Sequence, residues 1–132
     1  MKRRTLVMLL ATGWLAACST SPTGRNQLIL MDDNEVAALG LQSFSTLEKQ
    51  EKISQDRKAN RYVRCVAEAV VREIPPRYMS SPQDWKVVLF DSKEVNAFAL
   101  PGSRIGIYTG IFKAARNQDQ LAAVIGHEVS HV

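Results

Sequence analysis

Apolar residues recur along this chain first with a helical period and then, from about residue 85, with that of an extended strand. Asp32-Asp33-Asn34-Glu35 has the form of a helix start, with Asp32 as N-cap and Glu35 three residues on. Val36, Leu39, Ser43, Phe44 and Leu47 follow at helical spacing and predict a helix from about Asp33 to about Lys52. A second helix is expected from about Asp56 to Glu73. Ala59, Tyr62, Val63, Val66, Ala69 and Val70 lie on one face, and Arg57, Arg61, Arg64, Glu68 and Arg72 on the others. Pro75-Pro76 ends it, because proline neither donates to a helix nor lets its predecessor stay helical.

Trp85 to Phe90 is β-branched and apolar and is bounded by Pro82 and Asp91, which predicts a strand. Asn96 to Leu100 reads as a second strand, Pro101-Gly102 as a turn and Arg104 to Thr109 as a third strand, giving a small sheet with one hairpin. Gly102 supplies turn conformation and nothing chemical. A short helix over Ile111 to Ala115 and a last helix capped by Asn117 or Asp119 complete the pattern. The expected class is α+β.

The last helix carries the chemistry. Gly126-His127-Glu128-Val129-Ser130-His131-Val132 has the form H-E-x-x-H, and residues four apart on a helix lie one above the other. His127 and His131 are the chain's two histidines, placed to share one Zn²⁺, with Glu128 beside them to hydrogen-bond a water. Ser130 points away from that face, and no serine sits in a G-x-S-x-G setting, so serine-based hydrolysis is not expected.

Charge and the N-terminal segment add a compartment. The formal charge is +4, from 17 lysines and arginines against 13 acids, and Lys2, Arg3 and Arg4 supply most of the excess. Downstream no basic cluster interleaves with aromatics, so nucleic acid is not an expected partner; the arginines of the second helix read as a solvated face. The charged start, the apolar run Leu6 to Ala11 continuing to Trp14-Leu15, and Leu15-Ala16-Ala17-Cys18 resemble an export signal ending in the lipobox of a bacterial lipoprotein. The apolar run falls short of the roughly 20 residues of a transmembrane helix. The resemblance implies a signal peptide over residues 1–17 and an acylated Cys18. A polar tether with Pro22 and Gly24 reaches to about residue 31, within which Gln27 to Met31 is a short strand or a packing segment. The domain follows over residues 32–132. Ser19 after the cysteine favours the periplasmic face of the outer membrane by similarity to sorting rules. With Cys18 modified, Cys65 stands alone and reads as a small buried or half-buried apolar residue rather than a reactive thiol.

The run Asn96-Ala97-Phe98-Ala99-Leu100-Pro101-Gly102, the strand Arg104 to Thr109 and the segment Asp119 to Val132 together resemble the zinc peptidase family that includes HtpX and the prenyl-protein proteases, and within it the soluble, lipid-anchored periplasmic members. The likeness runs from about Ser19 onward and is densest from Asn96. It implies a zincin-like fold and hydrolysis of peptide bonds in envelope proteins by zinc-activated water. His127 and His131 would be the metal ligands and Glu128 the general base. It also implies that Asn96, Ala97 and Phe98 belong to an edge strand against which an extended substrate lies; the alternative for Asn96 and Pro101 is that they only shape a hairpin. The family's third ligand is a glutamate on a later helix, for which no acid in these 132 residues is an obvious substitute. The chain therefore reads as a truncated product or a fragment of a longer peptidase. A non-catalytic envelope lipoprotein that uses the scaffold for protein binding is the competing reading.

Overall fold

The structure, a computed structural model, describes residues 18–20, 26–28, 31–78 and 84–132. The signal peptide expected over residues 1–17 lies outside the described residues, as does most of the stretch expected to be a tether. Within that stretch, β1 (Cys18–Thr20) pairs antiparallel with β2 (Asn26–Leu28), Cys18 opposite Leu28. These strands belong to one unit, and everything described below belongs to a second, residues 34–132, whose leading helix starts one residue earlier at Asp33. Among the described residues no helix is long and apolar enough to cross a membrane.

The second unit is α+β, with α1 (Asp33–Gln50), α2 (Arg57–Arg72) and α3 (Gln118–Val129) around a three-stranded sheet of β3 (Lys86–Phe90), β4 (Ala97–Leu100) and β5 (Arg104–Tyr108). The strand order is β3-β5-β4, with β3 parallel and β4 antiparallel to β5, so the expected hairpin is β4–β5 and β3 lies on its far side. Strand alternation sorts the side chains into two cores. Leu89, Ala97, Ile105 and Ile107 face α2 and α3, where they meet Val63, Ala67, Val71, Leu121, Ile125 and Val129. Phe90 and Tyr108, with the half-buried Phe98, face the other way and meet Phe44 of α1, with neighbouring ring centroids 5.5–6.3 Å apart. Burial, and to a lesser degree the negative charges of Glu51 and Glu94, push the Tyr108 hydroxyl above its usual pKa.

Backbone conformation fixes the hairpin. Gly102 has φ 86° and Ser103 φ 61°, and the Arg104 guanidinium donates to the carbonyls of Gly102 (2.8 Å), Ser103 (3.1 Å) and Asp84 (3.2 Å). The turn role expected of Gly102 is met. Helix α1 crosses this turn so closely that a Cβ on Gly40 would lie 2.0 Å from the Pro101 carbonyl oxygen. Glycine at 40 is therefore a condition of that crossing.

Three burial expectations are corrected. Val36 and Leu39 are 36% and 51% exposed, because α1 makes its inward contacts through Gly40 and Phe44, with Leu47 half-buried. Ala69 is exposed, while Ala67 and Val71 are buried. Cys65 is exposed rather than buried: it falls on the arginine side of α2. The expected short helix at Ile111–Ala115 is a 3₁₀ turn over Thr109–Lys113 that drops Ile111 and Ala115 into the core.

Candidate active site

Helix α3 is fixed at its start by two side chains. The Asn117 side chain accepts from the Gln120 backbone N–H at 2.9 Å, while Gln120 Oε1 accepts from the Arg116 N–H at 2.8 Å. This resembles a capping box whose return bond reaches one residue further back than usual. Of the two caps expected from sequence, Asn117 is the one used. Further along, Leu121, Ile125 and Val129 are buried at intervals of four and seat the helix on the sheet and on α2. A Cβ on Gly126 would sit 3.8 Å from Val70 Cγ1, in ordinary van der Waals contact, which places this side of α3 against α2.

At 100° per residue, the stripe Leu121–Ile125–Val129 puts His127 and His131 on the outward side and Glu128 between stripe and histidines. The burial agrees: both histidines are exposed and Glu128 is half-buried. His127 is helical, whereas His131 lies in the turn after Val129, held by hydrogen bonds from the His131 N–H to the Glu128 carbonyl (3.1 Å) and from the Ser130 N–H to the Gly126 carbonyl (3.1 Å). Ser130 Oγ donates to the His127 carbonyl at 2.6 Å, which commits that hydroxyl to the helix end. Despite the change from helix to turn, the two Nε2 atoms converge to 3.2 Å, with the rings near-perpendicular at 85°. Two nitrogens at corners of a zinc tetrahedron with bonds of about 2.0–2.1 Å lie about 3.3 Å apart. The separation matches two nitrogens on one zinc ion and equally a hydrogen bond between the two rings. Among the described residues no third histidine, cysteine, aspartate or glutamate joins them to make a group of three.

The expected edge strand is an edge: β4 is the last strand beyond β5, and α3 packs against it. Asn96 precedes β4, is exposed, and accepts from the Tyr108 N–H at 3.0 Å through its carbonyl. Ala97 is buried on the side of α2 and α3, and Phe98 is half-buried in the aromatic cluster. The side chains of Ala97 and Phe98 are thus engaged in packing, and what β4 offers outward is backbone. Cys18 sits in β1, within the first unit.

The sequence model of peptidase family M48 matches residues 57–132, from the start of α2 through the H-E-x-x-H. The chain belongs to peptidase family M48. The matched span includes both helices that build the site, all three strands of the sheet, and the Asn96–Gly102 run that carried the resemblance. The M48 chain is 28% identical to the mitochondrial metalloendopeptidase OMA1 of Danio rerio over 112 residues, 83% of this chain and 23% of that relative. It is 27% identical to the human OMA1 over 115 residues, 83% of this chain and 21% of the relative. The beta-barrel assembly-enhancing protease of Escherichia coli (strain K12) is 41% identical over 44 residues, 33% of this chain and 9% of that protein. The chain thus spans less than a quarter of the length of these relatives.

Proposed function

We propose that this chain supplies the helix and edge strand of a zincin-like, zinc-dependent metalloendopeptidase active site, in which His127 and His131 hold one zinc ion and Glu128 moves the proton. The observation behind this reading is the 3.2 Å convergence of the two Nε2 atoms beside a half-buried carboxylate on a capped, well-seated helix. Membership of a peptidase family supports protein or peptide substrates. Bound zinc provides Lewis acidity and lowers the pKa of a ligated water toward about 7. Glu128 takes the proton released as water adds to the scissile carbonyl carbon. It returns that proton to the amine nitrogen as the C–N bond breaks. The substrate lies extended along the stretch of Asn96, Ala97 and Phe98 and pairs with the backbone groups on the outer edge of β4, the Asn96 carbonyl being engaged by the Tyr108 N–H. The third metal ligand is a glutamate from beyond these 132 residues, since a catalytic zinc takes three protein ligands and keeps one position open. Acylated Cys18 anchors the protein at the periplasmic face of the outer membrane, where its substrates are envelope proteins.

A scaffold without catalysis is the second reading, favoured by the lack of a third ligating side chain among the described residues. Protein purified from its own cell separates the two. The peptidase reading expects one zinc per chain, and His127→Ala or His131→Ala to lose zinc and peptide cleavage together. Glu128→Gln should keep its zinc and cleave about 10²–10⁴-fold more slowly. Near-parental cleavage by Glu128→Gln would sink the proton assignment; a parent that neither binds zinc nor cleaves would leave the scaffold.

A further inference from the structure

The apolar side of α2, with Val63, Val66, Ala67 and Val71, is sealed in the core, but its outward side is cationic. Arg57, Lys58, Arg61, Arg64 and Arg72 are all exposed there, against one acid, Glu68, which pairs with Arg72 at 3.7 Å. No carboxylate among the described residues forms an ion pair with Arg57, Lys58, Arg61 or Arg64. Arg57, Arg61 and Arg64 lie at i, i+4 and i+7 and line one shallow groove with Asn60, Cys65 and Glu68. At the start of α2 the Asp56 carboxylate caps the helix, accepting from the Lys58 and Ala59 N–H groups at 2.9 and 3.0 Å, so it is engaged with backbone rather than with the arginines.

We propose that this face of α2 docks on the anionic phospholipid headgroups of a membrane leaflet. Arg57, Arg61 and Arg64 span about 10 Å of helix in a row open to solvent, which suits neighbouring phosphates on a surface better than a single enclosed anion. It holds no exposed aromatic on which a nucleic acid base would stack. Because the apolar side is occupied by the core, attachment is electrostatic and at the surface, unlike that of an amphipathic helix sunk among acyl chains. The orientation has a consequence. Arg61 and Val70 are nine residues apart, two and a half turns, so the side of α2 that receives α3 is opposite the cationic row. A leaflet on the arginines leaves the side with α3 and its histidines toward water. The surface is independent of the peptidase reading and needs neither zinc nor cleavage.

The test uses the full-length protein as its cell makes it, mixed with vesicles of phosphatidylcholine alone or with phosphatidylglycerol added, and reads alkylation of the exposed Cys65 by an uncharged polyethylene-glycol maleimide. Docking should slow alkylation in the phosphatidylglycerol vesicles by at least about fivefold, the factor that corresponds to one basic residue near an anionic surface. High salt should abolish the difference, as should the triple variant Arg57→Gln/Arg61→Gln/Arg64→Gln, while the triple lysine variant should keep it. Each variant is compared with itself on phosphatidylcholine, which removes direct effects of the arginines on the thiol. If the protein does not float with phosphatidylcholine vesicles, the anchor reading fails, and flotation with phosphatidylglycerol vesicles then reads docking alone. Equal alkylation of parent and glutamine variant, equal flotation of the two where the protein does not float with phosphatidylcholine vesicles, or reversal by inorganic phosphate at constant ionic strength, would overturn the proposal.

Discussion

The two faces of the sheet are built from different materials and do different work. On one, aliphatic side chains from α2, α3 and the strands interdigitate, and α3 emerges from that contact carrying Glu128 and the two histidines. On the other, four aromatic rings lock α1 over the β4–β5 hairpin, and no site residue other than Phe98 takes part. The aliphatic face sets the position of α3 and its histidines; the aromatic face ties α1 to the β4–β5 hairpin. Under the proposed function, metal binding should respond to damage on the first face, and overall stability to damage on both.

The sharpest way to break this comparison is to excavate each core in turn. Phe44→Ala should cost about 3–5 kcal/mol of folding stability and Ile125→Ala about 2–5 kcal/mol, measured by chemical denaturation. Zinc affinity of the remaining folded protein should fall only for Ile125→Ala, whose side chain seats α3 two residues before His127. Equal losses of zinc affinity in the two variants would mean that the faces are not separable.

Much of this arrangement was legible in the sequence, and its misses share a cause. Helices, strands and hairpin fall within a residue or two of expectation where period and punctuation agree, as with Asp56 before α2, Pro75-Pro76 after it and Pro101-Gly102 between β4 and β5. Helix α1 departs from expectation because its close contact is made by Gly40, which has no side chain and so gives no hydropathy signal; Val36 and Leu39 carry the signal but are 36% and 51% exposed. Cys65 was placed inward on residue type, although its angle on the helix puts it among the arginines. The buried face of α2 is wider than a single stripe because two neighbours, α3 and β3, press on it, which is why Ala67 and Val71 are inside. Nothing in strand spacing announced that β3 would pair with β5 rather than with β4, since that choice depends on contacts between distant residues. The spacing of the histidines was legible as i and i+4, but the turn that follows Val129, in which His131 lies, was not.

A milder perturbation sharpens the aliphatic side further. Asn117→Ala removes the side chain that accepts from the Gln120 N–H and should cost about 1 kcal/mol, read as a lowered midpoint of denaturation. The loss should be localised: amide exchange ought to quicken in the first turn of α3 and stay unchanged in α1. Uniform quickening would show that the cap holds more than its own helix.

The smallest expected effect belongs to the aromatic side and appears only in alkali. Burial raises the pKa of Tyr108 above its usual 10.0, and hydrogen bonding and charge from Asp91 raise that of Lys52 above 10.5, across a 2.7 Å ion pair. Both groups hold their protons more tightly when folded, so both contributions are complete below the unfolded pKa values and are lost as pH rises through the folded ones. Stability should decline above about pH 10 more than the unfolded values require. Tyr108→Phe should flatten that decline in a pH series of thermal melts; an unchanged slope would remove Tyr108 as a source.

The junction at Val129 has one more implication. His127 belongs to the last helical turn and His131 to the loose turn that follows, yet their rings meet. An ion gripped by both would act as a splint across the place where the helix unwinds. Loading would then be felt as order before it is felt as catalysis: the amides of Ser130 and His131, each bonded back to a carbonyl of α3, should exchange slowly with metal and rapidly after chelation.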